Sequence, residues 1–291
     1  MSTDHEQHYL VTGATGNTGT HVAAGLRDRG LRVRTASRHP VPADGAVRFD
    51  WGDVSTFDAT LDGIDAVYLV APVGVADPAP LVRPFLESAV DRGVQRVVQL
   101  GSSAVGKGDP GLGEIHSLVS ELVPRWTVLR PSWFMQNFVG DHPLAEGIRT
   151  SGQIITATGA GRLGFIDAAD IAAVAVEALT AEDPIEGELI LTGPEALSYA
   201  DAAAVVSDVH GRPVEHIDLT TEQMVQRLVD TGLAPEFARM LAGLDARIRA
   251  GQEDRVTGTV EMVTGRPATS LRDFLTADAR ATTEAPGPAV P

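Results

Sequence analysis

The chain has 291 residues, 43% of them hydrophobic, enough for one substantial core and a smaller satellite lobe, since single cores stop growing at about 250–300 residues. Its formal net charge of −16 opposes a phosphate backbone, because nucleic-acid binders need a basic stripe that releases counterions; nucleic acid is therefore excluded as a partner. With zero cysteines, disulfides, thiol catalysis and thiolate metal sites are excluded together, which fits a reducing compartment.

No apolar run reaches the roughly 18 residues of a membrane span, and the polar start MSTDHEQH lacks the charged-then-apolar layout of a signal peptide. The expectation is a cytoplasmic protein with no membrane partner. His5 and His8 are read as part of a frayed polar terminus, and no metal is expected.

In chain order, residues 9–12 form a short apolar strand that breaks into GATGNTG, and residues 21–29 carry apolar side chains at helical spacing before Gly30. The alternation continues with strands over 33–36, 46–49 and 66–70, a helix over 81–90, a strand over 94–100, a helix over 115–122 and a strand over 127–129. Alternating βα units imply a parallel, doubly wound α/β sheet of the Rossmann type with right-handed crossovers. Beyond Arg130 the rhythm loosens. A hairpin is predicted over 153–165, then an Ala-rich helix over 168–179 and a strand over 188–191 that extend the sheet. Helices near 199–209, 222–229 and 235–250 suggest a lobe, and the small, proline-rich stretch from Ala279 reads as a disordered tail. The expected division is a dinucleotide-binding domain over 1–137, a smaller C-terminal substrate lobe over 138–278 with the sheet-completing segment 165–191, and the tail over 279–291.

Gly13, Gly16 and Gly19, with Thr15, Asn17 and Thr18 between them, stand where the first strand meets the first helix. There the backbone must turn tightly and admit a pyrophosphate to the helix N-terminus, so this loop is a dinucleotide site. About twenty residues on, where NAD proteins carry a carboxylate for the ribose 2′-hydroxyl, the chain reads VRTASRHP. Ser37 and Arg38 offer a hydroxyl and a guanidinium fork suited to a 2′-phosphate, so NADP(H) is the expected cofactor. Asp50 and Trp51 end the third strand, where they face the adenine or serve as ordinary turn residues.

Taken together, VTGATGNTG, VRTASRHP, RFDWGD, GIDAVYLVAP, RVVQLGSSAV, WTVLRPSWFMQNF, FIDAADIA and VTGRPATSLRDF resemble the NmrA-like branch of atypical short-chain dehydrogenases/reductases. Within it they resemble bacterial relatives of the ergot-alkaloid festuclavine-dehydrogenase type. The resemblance implies a Rossmann domain, a C-terminal substrate lobe, Ala71 and Pro72 beside the adenosine half of the cofactor, and Ser102, Ser103, Pro131, Ser132 and Trp133 beside the nicotinamide.

Most short-chain reductases protonate the nascent alkoxide with a Tyr-x-x-x-Lys pair. No such pair exists here, since the tyrosines are Tyr9, Tyr68 and Tyr199 and the one lysine is Lys107. Thirteen residues after Ser103, at the spacing expected of the tyrosine, stands His116, with Ser120 four residues later. Two readings of His116 stand: a proton donor, given an unperturbed pKa of about 6.5, or a histidine that only supports cofactor or pocket. Ser103 is either a carbonyl donor or a strand-end cap. Met135, Asn137, Phe138 and Phe165 either wall an apolar substrate pocket or form plain core.

The leading expectation is an NADPH-dependent reductase acting on an apolar, ring-containing small molecule, as monomer or homodimer. The alternative, from the missing Tyr-Lys pair, is a non-catalytic NADP(H) sensor that signals to a partner protein.

Overall fold

The structure, a computed structural model, describes residues 7–40 and 42–284; the expectations placed on His5 and on the chain beyond residue 284 lie outside them. The first half of the chain alternates β1 (His8–Thr12), α1 (Asn17–Asp28), β2 (Arg32–Ser37), β3 (Ala46–Arg48), α2 (Phe57–Leu61), β4 (Ala66–Leu69), α3 (Ala79–Asp91), β5 (Arg96–Leu100), α4 (Leu112–Leu122) and β6 (Arg125–Pro131). There follow α5 (Pro143–Ser151), β7 (Gln153–Thr156), β8 (Arg162–Leu163), α6 (Ala168–Thr180) and β9 (Gly187–Leu191). The remainder holds β10 (Leu197–Ser198), α7 (Tyr199–His210), β11 (Glu215–Asp218), α8 (Thr221–Asp230), α9 (Pro235–Arg249), α10 (Thr259–Thr264) and α11 (Leu271–Glu284).

Seven strands form one sheet in the order β3-β2-β1-β4-β5-β6-β9, and every pair in it is parallel. This is the doubly wound α/β sheet expected from the sequence. Strand β4, AVYL, is buried along its whole length, as a central parallel strand covered on both faces must be. The chain winds outward from β1 to β3 and then returns to β4 on the other side of β1, so the crevice for a ligand opens at the C-terminal ends of β1 and β4. Helix α1 turns Val22, Ala23 and Leu26 inward, spaced to fall on one face.

The described residues divide into two compact units, the first made of 7–40, 42–131, 168–191 and 259–265, the second of 132–167, 192–258 and 266–284. The first therefore stops at Pro131 rather than at residue 137, takes in α6 and β9, and adds α10. Its core on the α3/α4 face of the sheet contains Leu10, Val67, Leu69, Phe85, Leu86, Val97 and Ile115. On the opposite face α1 packs on α6, where Arg29 pairs with Glu177 and donates to Thr180 Oγ1 at 2.9 Å. The second unit has its own core, built around Met135, Phe138, Leu163, Phe165, Tyr199 and Leu275.

Three expectations are corrected. Residues 153–165 are not a hairpin: β7 pairs in parallel with β11, and β8 pairs antiparallel with β10. The alternating pattern marks strands but not their partners. Here the intervening turn is fitted against α9, where a side chain at Gly161 would run into the Ile248 carbonyl. Residues 279–284 belong to α11 rather than to a tail, because Leu271 and Leu275 bury one face of that helix. Helix α1 begins at Asn17, four residues before the predicted start, so Asn17, Thr18 and Gly19 form its first turn. No helix among the described residues is long and apolar enough to cross a membrane.

Candidate functional site

At the switch point between β1 and β4, Thr12 is fully buried and works in both directions. Its hydroxyl donates to the Tyr68 carbonyl at 3.1 Å and accepts from the Val70 amide at 2.8 Å. The next residue, Gly13, has φ +60, a conformation that disfavours any side chain, and a Cβ there would lie 3.0 Å from Val70 Cβ. The Gly16 amide closes the turn on the Gly13 carbonyl at 2.9 Å. At Gly19 a Cβ would overlap the Gly13 carbonyl oxygen and stand 2.8 Å from its carbon and 3.0 Å from Ala14 Cα.

Gly16 is the N-cap of α1 and no side chain caps the helix. The first amides of this 12-residue helix are thus left to an outside acceptor, at the end where the helix dipole favours an anion. Thr15, Gly16 and Asn17 are exposed, whereas Thr18 is buried, its Oγ1 receiving the Tyr68 hydroxyl at 2.9 Å. Thr18 therefore braces the loop from beneath. A glycine-only cradle and an uncapped helix N-terminus fit a dinucleotide pyrophosphate.

At the end of β2, Arg38 is exposed, and its side chain has no hydrogen bond or ion pair among the described residues. The other arginines of this edge are engaged: Arg34 donates to the Asp62 carbonyl at 2.7 Å and Arg48 pairs with Asp53 at 3.1 Å. Ser37, half-buried, ends the same strand. Asp50 is turned on its own loop, its Oδ1 accepting from the Gly52 amide at 3.0 Å. Trp51 packs edge-on against Phe49 and Phe85, with centroids 4.8 and 5.1 Å apart. Ala71, buried, and Pro72, half-buried, follow β4.

Past β5 the chain stays on β6: the Gly101 amide donates to Leu129 O at 2.7 Å and the Ser103 amide to Pro131 O at 2.9 Å. Ser103 is buried, and Ser102 is half-buried with its Oγ accepting from the Ala104 amide at 3.3 Å. The Arg130 guanidinium donates to the Ser102 carbonyl at 3.3 Å and the Ser103 carbonyl at 3.1 Å, and it pairs with Glu188 of β9.

His116 lies on the inner face of α4, 2% exposed. Its ring centroid is 5.6 Å from that of Trp126, and Nε2 is 3.9 Å from Glu188 Oε1 and makes no hydrogen bond. Trp126 and Glu188 are each the second residue of their strands, and Glu188, in register with Val128 of β6, is also the carboxylate that Arg130 engages. Burial pushes its pKa below the ordinary imidazole value; Glu188 pulls it up, and Lys107 and Arg130 push it down. Burial thus favours the uncharged ring.

Within the second unit, Met135–Phe138 is a single 3₁₀ turn. It is fixed by bonds from the Met135 amide to Ile166 O at 2.8 Å and from the Ile166 amide to Trp133 O at 2.9 Å. Met135, Phe138 and Phe165 are buried, with Phe138 and Phe165 edge-to-face at 5.0 Å and Phe165 and Tyr199 at 5.2 Å. Their packing is that of core. Ser132 is also buried, while Trp133 and Asn137 remain half-buried.

Two family models match the chain, one described as NAD(P)H-binding over residues 13–182 and one as the NmrA-like family over residues 114–274. Uncharacterized oxidoreductase YesF of Bacillus subtilis (strain 168) is 46% identical over 273 residues, covering 93% of this chain and 94% of that protein. Agroclavine dehydrogenase of Claviceps fusiformis is 37% identical over 277 residues, covering 91% and 95%. Among solved structures, an NADPH-dependent quinone oxidoreductase of Escherichia coli complexed with NADPH is alike in fold. Its TM-score is 0.78 at 23% identity, over 93% of this chain and 99% of that one.

Proposed function

Because the chain belongs to the NmrA-like family, with an NAD(P)H-binding core, we propose that it is an NADPH-dependent reductase. Its substrate would be a carbonyl, imine or conjugated double bond of an apolar, cyclic small molecule. The observation that carries this is the cradle at the β1–α1 junction: Gly13 and Gly19 leave no room for side chains, and the amides at the start of α1 lack a cap. The names of the relatives, an oxidoreductase and an agroclavine dehydrogenase, favour redox chemistry over a purely sensing role.

In this reading Gly13, Thr15, Gly16, Asn17 and Gly19 hold the pyrophosphate, and Ser37 and Arg38 hold the 2′-phosphate. Ala71 and Pro72 border the adenosine, while Ser102 and Ser103 stand at the nicotinamide end. The chemistry the cofactor supplies is a hydride. The protein's own part is orientation, the contribution that holding reactants in one geometry makes. Trp133 and Asn137, half-buried beside the apolar core of the second unit, offer a substrate one aromatic face and one amide. His116, buried and with its pKa lowered by that burial, serves as support, and the proton a quinone or ketone needs comes from solvent; an iminium substrate needs none.

The test is NADPH oxidation by the purified protein with a panel of quinones, cyclic imines and polycyclic ketones. Turnover above background with at least one of them supports the reading. No turnover with any, together with capture of a partner protein in only one redox state of the cofactor, would replace it with the sensor.

A further inference from the structure

Where strand β5 ends, its chain must still find acceptors and donors: one side chain donates to the carbonyls of both Ser102 and Ser103, the former also accepting from the Val105 amide at 3.2 Å. Arg130 Nε donates to Ser102 O at 3.3 Å and Nη2 to Ser103 O at 3.1 Å, while Nη1 is turned the other way, onto the Glu188 carboxylate of β9. Arg130 is only 16% exposed along its side chain. A planar guanidinium reaches three acceptors in fixed directions at once, whereas a lysine ammonium on a flexible stem does not reproduce the fork.

Gly101 makes the arrangement tight. Its amide is bonded to Leu129 O at 2.7 Å, and a Cβ there would stand 3.1 Å from that same oxygen and 3.2 Å from Val128 Cγ1. The segment is thus pressed onto β6 on one side and tied through Arg130 to β9 on the other. It lies past the C-terminal end of a central strand, on the edge where doubly wound sheets bind ligands.

We propose that Arg130 is a positioning residue, held by Glu188, that fixes the Ser102–Ser103 main chain at the ligand edge of the sheet. Its effect on turnover rests on the reductase reading; its effect on the segment does not. Among the described residues the side chain makes no hydrogen bond to the glycine loop or to α1, and it acts through the two carbonyls it holds. His116 shares the Glu188 carboxylate from the other side at 3.9 Å, and Lys107, over Trp126 at 5.9 Å, is the remaining cation of the cluster.

The experiment is amide hydrogen exchange of residues 101–105 in the cofactor-free protein, comparing wild type with Arg130→Lys and Glu188→Gln. Arg130→Lys should exchange these amides about tenfold faster, Glu188→Gln less so, with the amides of β1 to β4 unchanged, because the opening is local. NADPH affinity should stay within about twofold, while kcat on the best substrate of the panel falls about tenfold at constant KM. Unchanged exchange at 101–105 in both variants, or a rise spread evenly over the first unit, overturns the proposal. Local acceleration in a protein that reduces no member of the panel upholds the positioning role and removes the reductase reading instead.

Discussion

Nε2 of His116, an atom without a hydrogen bond, stands 3.9 Å from the carboxylate of Glu188, which Arg130 already engages from its other oxygen. The ring is desolvated before it is paired, and burial outweighs the carboxylate in setting its pKa below the ordinary value of 6.5. The folded chain therefore binds fewer protons than the unfolded chain between the two pKa values. Stability from this group is full above about pH 6.5 and is lost as pH falls towards the folded pKa. His142 and His216 are shifted the same way by burial. Urea unfolding should show a falling midpoint from pH 7 to pH 5, with a shallower fall in His116→Phe. In proton NMR, Glu188→Gln should move the His116 titration to still lower pH.

Burial lowers the His116 pKa and so reduces the share of protonated ring at neutral pH. If His116 were the general acid, its removal would lower the chemical step about 10²–10⁴-fold. The present account expects single-turnover NADPH oxidation by His116→Phe to remain within about tenfold of wild type, since the new ring still packs on Trp126. A loss in the larger range, restored by no other ring, would return the donor role to His116.

Among the described residues the Arg38 side chain has no hydrogen-bond or ion-pair partner, whereas its neighbours Arg34 and Arg48 are bound. A charge-assisted contact to the 2′-phosphate is worth about 1.5–3 kcal/mol. NADPH should bind at least about tenfold tighter than NADH, and Arg38→Ala should erase the difference without weakening NADH. Titration calorimetry with both cofactors measures it. Equal affinities in wild type would remove Arg38 from the site.

Gly19→Ala tests the cradle. Its methyl would overlap the Gly13 carbonyl, so the loop must open. NADPH affinity should fall more than about tenfold, while the fold persists because Thr18 and Tyr68 still tie α1 to β4. Cofactor titration beside circular dichroism separates the two. Unchanged affinity would mean that the loop does not approach a ligand closely.

The fold was legible because its signals are local and repeated. Apolar runs such as YLVT, broken by GATGNTG, and AVYL leave little choice but a parallel sheet, and the spacing from the glycines places Arg38 at the end of the second strand. What escaped depended on distant partners. Strand β7 finds β11 some sixty residues on, and no alternation in QIIT names that partner. Short α5 was missed, although Pro143 at its start and Gly152, at φ +67, beyond its end are stop and start signals; only Ala145 and Ile148 bury its face. The site split along the same line. The bond from the buried Tyr68 hydroxyl to Thr18 and the packing of Phe138 and Phe165 on Tyr199 join residues that no sequence pattern pairs. Arg130 stood inside the motif LRPSWF without any pattern to mark it, because its role is set by carbonyls of another strand and by Glu188.

The central claim is direct hydride delivery, and isotopic transfer tests it most directly. With NADPH deuterated at the reactive position of its nicotinamide and the best substrate of the panel, the reduced product should carry one deuterium from the cofactor, read by mass spectrometry as a shift of about one mass unit. A carbon-bound label should survive exchange into ordinary water, and for a quinone, whose new hydrogens sit on oxygen, the label is replaced by a primary isotope effect on NADPH oxidation in single turnover. A reduced imine or ketone with no cofactor-derived deuterium, or a quinone reaction indifferent to the label, would contradict the account.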